Sequence, residues 1–189
     1  MNIEIKSLNP ELIDDFLYYF DKVGFTDNPE WSRCYCYFHH FPGSTKKWMK
    51  RTGEENRADS ANLVLSGVIN GFLAYQDGKP IGWINTDLKE NYLKVPFEKE
   101  IKPSKDGKIA SIVCILIAPS HRKKGLAKQL LKKVLVELKE NGVKWVEAYP
   151  RLGDLSDAHH YHGPLSLYQS EGFSIVKELK NMVVVQKEL

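Results

Sequence analysis

The sequence predicts one α/β domain on a mixed sheet, and three patterns carry that expectation. The run "IASIVCILIAP", residues 109–119, is continuously apolar and ends at Pro119, as a strand buried on both faces does. A helix follows, with Leu126, Leu130, Val134 and Leu138 at four-residue steps, and then a second apolar strand, "KWVEAY". Strand, crossover helix and strand make a parallel pair. Two hairpin patterns, at Asp77-Gly78 and at Lys180-Asn181, add further strands around this unit.

In chain order, "NIEIKSL" reads as the first strand, and "NPELIDDFLYYFDKV" as a helix with Asn9 at its N-cap and Pro10 at its first position. Residues 24–43 form a long aromatic loop. "STKKWMKRT" and "EENRADSANLVLSGVI" are two helices, the second predicted to end near Gly71. The hairpin "GFLAYQDGKPIGWINTDL" comes next. The polar stretch "KENYLKVPFEKEIKPSKDGK", residues 89–108, is long enough to be a functional or mobile loop. In the central helix Lys128, Lys132, Lys133 and Glu137 lie outside the apolar stripe, and Gly142 is placed to end it. After a loop, "PLSLYQSEG" gives a short helix, and "FSIVKEL" with "MVVVQKEL" close the chain. No repeat, low-complexity tract or linker interrupts residues 1–189, so a single domain is the economical reading.

The chain has 189 residues, 42% hydrophobic and 27% charged, the balance of a globular protein. No apolar run approaches the ~20 residues of a spanning helix, and "MNIEIKSLNPEL" lacks the basic and apolar regions of a secretion signal. A cytoplasmic location without membrane partners is the resulting expectation. Three cysteines, an odd number, argue for free thiols rather than a disulfide framework. With a formal net charge of +3 and basic residues interleaved with Glu137 and Glu140, no nucleic-acid partner is expected.

The turn "RKKGLA", residues 122–127, lies between the buried strand and its helix. The first N–H groups of that helix lack intrahelical partners and point its positive dipole end outward. Gly125 removes a side chain where a ligand would approach, and three basic residues at that end oppose the dipole unless an anion is bound. Walker and dinucleotide fingerprints are absent, since no G-x-x-x-x-G-K-[ST] occurs and the turn holds one glycine.

Strand ending in Pro119, "RKKGLA", amphipathic helix, "WVEAY" and "LYQSEGF" at 167–173 together resemble the acyl-CoA-binding half of the GCN5-related N-acetyltransferase (GNAT) superfamily. The likeness covers residues 71–188 by motif and residues 1–70 by element order. It implies a mostly antiparallel central sheet with a splayed parallel pair, near 109–117 and 144–149, flanked by helices. It also implies acetyl-CoA as co-substrate, its pyrophosphate on the backbone of Arg122, Lys123, Lys124, Gly125, Leu126 and Ala127. Ile115, Leu116 and Ile117 fall where backbone groups pair with pantetheine and the thioester carbonyl, and an N–H there would stabilise the oxyanion. Tyr168 matches the family's tyrosine beside the departing sulfur. A phenol, with a pKa near ~10 against ~8.5 for a thiol, stays protonated for that task. Glu147, mid-strand in "WVEAY", is the candidate base for the attacking amine.

The resemblance places an amine-acceptor site, for a small molecule or a peptide, on residues 1–70, with residues 71–189 as the acyl-CoA core. Trp31, Tyr35 and Tyr37, with Trp83 added from the core, are assigned to it, as an aromatic wall suited to an apolar or cationic acceptor. Where many relatives carry asparagine, seven residues before the tyrosine, this chain has Tyr161, and the inserted loop "RLGDLSDAHHYHG" adds three histidines, pointing to a specialised acceptor site. Cys34, Cys36, His39 and His40 are zinc-ligand types, but C-x-C does not match structural zinc spacing, so no metal is expected. Cys114 reads as packing, and no Cys/His/Asp spacing supports an acyl-cysteine. The reading is direct acetyl transfer to a primary amine, with a non-catalytic acyl-CoA-binding or sensing module as the rival and a homodimer through the C-terminal strands allowed.

Overall fold

The apolar run ending at Pro119 forms β4 (Lys108–Ile117), whose residues 110–116 are all buried. The computed structural model describes residues 3–95, 107–153 and 155–189. Around β4 lie β1 (Ile3–Ser7), β2 (Gly71–Gln76), β3 (Lys79–Leu88), β5 (Val143–Ala148), β6 (Ser174–Leu179) and β7 (Met182–Glu188). The described strands make one seven-stranded sheet in the order β1-β2-β3-β4-β5-β7-β6. Neighbours are antiparallel except β4 and β5, which are parallel as the crossover requires. The expected mixed, mostly antiparallel sheet is therefore present.

Period-two alternation sends neighbouring strand residues to opposite faces, giving the two larger of three buried clusters; the third gathers Tyr92, Val95, Val113, Tyr149 and Val184. Phe72 and Ile84 join Ile112, Leu130 and Val134 under the crossover helix α4 (Leu126–Glu140). Leu73 and Trp83 join Phe16, Phe20 and Val64 under α1 (Ile13–Tyr18) and α3 (Gly53–Leu65). Gly82 lets α4 lie close on β3, since a Cβ there would sit 3.2 Å from side-chain atoms of Ile117 and Leu130. Each large side chain fully buried here contributes roughly 1.5–3 kcal/mol.

Three local differences from the sequence reading have physical causes. The helix expected over 9–23 changes pitch: Pro10–Leu12 is a 3-10 turn capped by Asn9, α1 follows, and Tyr19–Val23 is a wider turn closed by Gly24 N–H to Tyr19 O at 2.8 Å. Thr52 and Glu55 form a reciprocal capping box that starts α3, which ends at Leu65 rather than near Gly71 because Gly67 turns the chain. The aromatic loop holds two 3-10 turns, Pro29–Cys34 and Tyr37–His40, joined through Tyr35 and Cys36, both left-handed with φ of 46° and 52°. α2 (Thr45–Trp48) follows it, capped by Ser44. Of the polar stretch 89–108, residues 96–106 lie outside the described residues. No helix among the described residues is long and apolar enough to cross a membrane.

Leu130→Ala removes a fully buried side chain between α4 and the sheet. Urea unfolding should show a loss of about 2–5 kcal/mol; an unchanged midpoint would contradict the role given to this packing.

Candidate active site

The β4–β5 register runs from Lys108 opposite Val143 to Ile112 opposite Ala148, where β5 ends and β4 continues for five residues paired on its other edge with β3. Backbone groups on this freed edge need partners. Ile115 N–H donates to Tyr161 O at 2.7 Å, and Val113 O accepts from His162 Nδ1 at 2.9 Å. Tyr19 O–H donates to Leu116 O at 2.8 Å, and Arg122 Nε–H to Ile117 O at 3.0 Å. Thus Ile115, Leu116 and Ile117, the residues matched to donor binding, each have a protein partner, two of them from segments that a sequence pattern does not pair.

Tyr168 lies in α5 (Leu165–Ser170), fully buried, with its ring edge on Phe173 at 5.2 Å. Its O–H donates to His162 O at 2.7 Å. Burial pushes its phenol pKa well above the ordinary value, so it stays protonated. Gly163 has a φ of +78°, and a Cβ there would lie 2.9 Å from the Tyr168 ring; glycine meets both constraints. Glu147 is fully buried. It accepts from Lys89 Nζ at 2.8 Å, from Tyr149 O–H at 3.1 Å and from Gln186 Nε2 at 2.6 Å. Ser111 Oγ is 2.9 Å from the Tyr149 hydroxyl, extending this network along β4.

At the far end of β4 the basic turn is exposed from Lys123 to Gly125. Gly125, with φ +80°, is the residue before α4, and a Cβ built on it meets nothing within 4 Å. The basic side chains are engaged elsewhere: Arg122 pairs with Asp27, Lys123 with Asp157 at 3.0 Å, and Lys124 Nζ donates to Ser120 O at 2.8 Å. What faces solvent openly is the backbone of a helix start, the geometry that receives a phosphate oxygen.

On the opposite side Val113, Cys114 and Leu116 of β4 line a cavity of about 730 Å³. Its other walls include Phe20, Trp31, Phe38 and Trp48, with Arg33 and Arg151 among its polar groups. The two unusual clusters of the sequence meet here, since the Trp31 ring stands edge-on to His159 at 4.7 Å and to Tyr161 at 5.4 Å. Of the four side chains assigned to the acceptor, Trp31 lines the cavity; Tyr35, Tyr37 and Trp83 stand behind it. Tyr35 O–H donates to Asp21 at 2.6 Å, Tyr37 packs on Phe41 and Trp48, and Trp83 Nε1–H donates to Cys36 Sγ at 3.1 Å. Arg33, Arg151 and Trp48 had no local signal in the sequence, because only the tertiary fold brings these distant positions together.

Cys34, Cys36 and Cys114 are free thiols on the cavity wall. Burial pushes Cys34 up to about 12. For Cys36 burial also acts upward, but the donors facing it, Cys114 and Trp83, outweigh it and its pKa falls. His39 Nδ1–H donates to Lys94 O at 2.6 Å, and the Leu93 and Lys94 N–H groups donate to His39 O, so this residue ties the aromatic segment to the loop after β3. Among the described residues no three His, Cys, Asp or Glu side chains converge to hold a metal ion.

The Acetyltransferase (GNAT) family matches residues 26–162, most of the chain. Among curated proteins none matches this sequence. Solved structures share the fold, among them the three that follow. The PaiA N-acetyltransferase of Thermoplasma acidophilum, in complex with coenzyme A, is 16% identical over the whole of both chains, with a TM-score of 0.60. An acetyltransferase of Thermus thermophilus is 17% identical, covering 100% of this chain and 98% of its own, with a TM-score of 0.57. The ribosomal-protein-S18-alanine N-acetyltransferase of Escherichia coli is 17% identical, covering 99% and 94%, with a TM-score of 0.52. At these identities the likeness is one of fold.

Burial holds three histidines neutral: His39 and His40 are lowered to about 4 and His162 to about 3, from 6.5. As pH falls below about 6.5 the unfolded chain takes up protons that the folded chain refuses, so stability is full above that pH and declines toward 4. The melting temperature should fall between about pH 6.5 and 5, less steeply in His162→Asn. A flat profile would contradict the buried neutral state.

Proposed function

The chain belongs to the acetyltransferase (GNAT) family and is an acyltransferase of that type, and from that premise we propose that it moves acetyl from acetyl-CoA to a primary amine by direct attack. One observation carries the reading: a single strand, β4, runs from the wall of the aromatic cavity, at Val113, to the open helix-start turn, through the Ile117–Arg122 hydrogen bond. Residues 122–127 would take the pyrophosphate, and the freed edge of β4 the pantetheine and thioester. Donor binding then requires Ile115 N–H to exchange the Tyr161 carbonyl for the thioester carbonyl, where it stabilises the oxyanion formed on attack. The cavity, walled largely by residues 20–48, receives the amine.

Tyr168 is the proposed acid: kept protonated by burial, it passes its hydrogen bond from His162 O to the departing sulfur. Glu147 is the proposed base, reached through the Tyr149 and Ser111 hydroxyls rather than by direct contact with the amine. A second reading, a non-catalytic acyl-CoA-binding or sensing module, is favoured by one fact. Ile115 N–H and Tyr168 O–H are both already committed to carbonyls of the inserted loop.

Calorimetry with acetyl-CoA should give micromolar binding, lost in Gly125→Glu; absence of binding by folded wild type would end both readings. Amine-stimulated release of CoA thiol separates them, since a sensing module would release none. Tyr168→Phe should lower kcat by roughly 10²–10⁴-fold with donor affinity retained, and unchanged turnover would remove Tyr168 from the mechanism. Glu147→Gln with an unaltered pH–rate profile would remove Glu147.

A further inference from the structure

The chain has five arginines. Arg51 meets Asp59, Arg57 meets Asp21 and Arg122 meets Asp27. Arg33 and Arg151 meet no carboxylate among the described residues, and these two are the arginines that line the cavity. They arrive from distant places, Arg33 from the Pro29–Cys34 turn and Arg151 from a bridge to Met182 just past β5. Arg151 is half-buried with its guanidinium 6.0 Å from the centre of the Tyr161 ring, while Arg33 is exposed at the rim. The acid that shares the cavity, Glu30, is also without an ion-pair partner among the described residues. The charged side chains of this chamber therefore carry two cations against one anion, above walls of aromatic rings.

A ligand that fits must return the missing negative charge and fill apolar space. A guanidinium engages a carboxylate through two parallel N–H donors, a geometry a lysine does not offer. Aromatic walls reward a large apolar body. A polycationic amine would add positive charge to a cavity that already holds two guanidiniums against one carboxylate among the described residues, which is unfavourable at short range.

Resting on the transferase reading above, we propose that the acceptor is a carboxylated amine with a large apolar body, of the aromatic amino-acid kind, its carboxylate held by Arg33 and Arg151. The aromatic rings hold the side chain, and the amino group is left to face the freed edge of β4. The same oxyanion could be carried instead by a dicarboxylic acyl chain on the donor, so the test includes that source.

The experiment measures CoA thiol release with acetyl-CoA and either phenylalanine or phenethylamine, which differ only in the carboxylate. Wild type should prefer phenylalanine in kcat/KM by on the order of tenfold to a hundredfold. Arg33→Met and Arg151→Met should each erase most of that ratio while acetyl-CoA affinity stays the same, and Arg33→Lys should keep part of it. Tryptophan fluorescence supplies a readout free of turnover, because Trp31 and Trp48 line the cavity. N-acetylphenylalanine should bind and N-acetylphenethylamine should not, with the difference lost in both methionine variants. Equal binding of the two, or a ratio unmoved by the variants, would overturn the proposal. So would an arginine-dependent preference for succinyl-CoA over acetyl-CoA with no discrimination between acid and amine. Arginine-dependent binding of N-acetylphenylalanine without turnover of any amine would leave the anion site standing and fail the transferase reading alone.

Discussion

β4 and β5 pair for only part of their length, and the rest of the site follows from that. Beyond Ile112 and Ala148 the strands part inside the molecule, and the backbone of β4 is left with donors and acceptors in a place where an unpaired one is costly. Three segments bring groups to residues 113–117: the inserted loop through Tyr161 and His162, the first helical region through Tyr19, and the adjacent turn through Arg122. The inserted loop is therefore held in the gap, and Tyr168 fixes it from behind through His162 O, packed against a glycine that has no side chain to give up.

The two faces of the sheet divide the work that this gap connects. On one face α4 is held by a continuous apolar stripe and presents its open start at Gly125. On the other, the aromatic segment builds a cavity whose polar groups are few and specific. Buried Glu147 is compensated by three donors, Lys89 from the turn after β3, Tyr149 just past β5 and Gln186 from β7, which tie the sheet together. Buried histidines are kept neutral instead, which lets His39 and His162 serve as hydrogen-bond donors to carbonyls without a charge to solvate.

The fold was legible because its signals are local. Pro119 ends β4, Asp77-Gly78 turns β2 into β3, and the four-residue steps from Leu126 identify α4. The basic turn was also legible as a place, although its side chains proved to be paired with Asp27, Asp157 and the Ser120 carbonyl, so that the backbone is what remains open. The cavity was legible in composition only. The stretch "WSRCYCYFHHF" announced an aromatic wall, but left-handed Tyr35 and Cys36 decide which rings face inward, so Trp31 and Phe38 reach the cavity while Tyr35 and Tyr37 turn away. Arg151 and Trp48 line the same cavity as Trp31 from separate parts of the chain, a convergence that no periodicity encodes.

The most direct test of this account follows two amide resonances of isotope-labelled protein as acetyl-CoA is added, that of Ile115 and that of His162, whose N–H shares a peptide group with the Tyr161 carbonyl. If the freed edge of β4 is the donor site, both signals should move together and saturate with the calorimetric binding curve, because the Ile115–Tyr161 hydrogen bond is exchanged for one to the thioester. Saturable binding of acetyl-CoA with both signals unmoved would place the donor elsewhere and contradict the account.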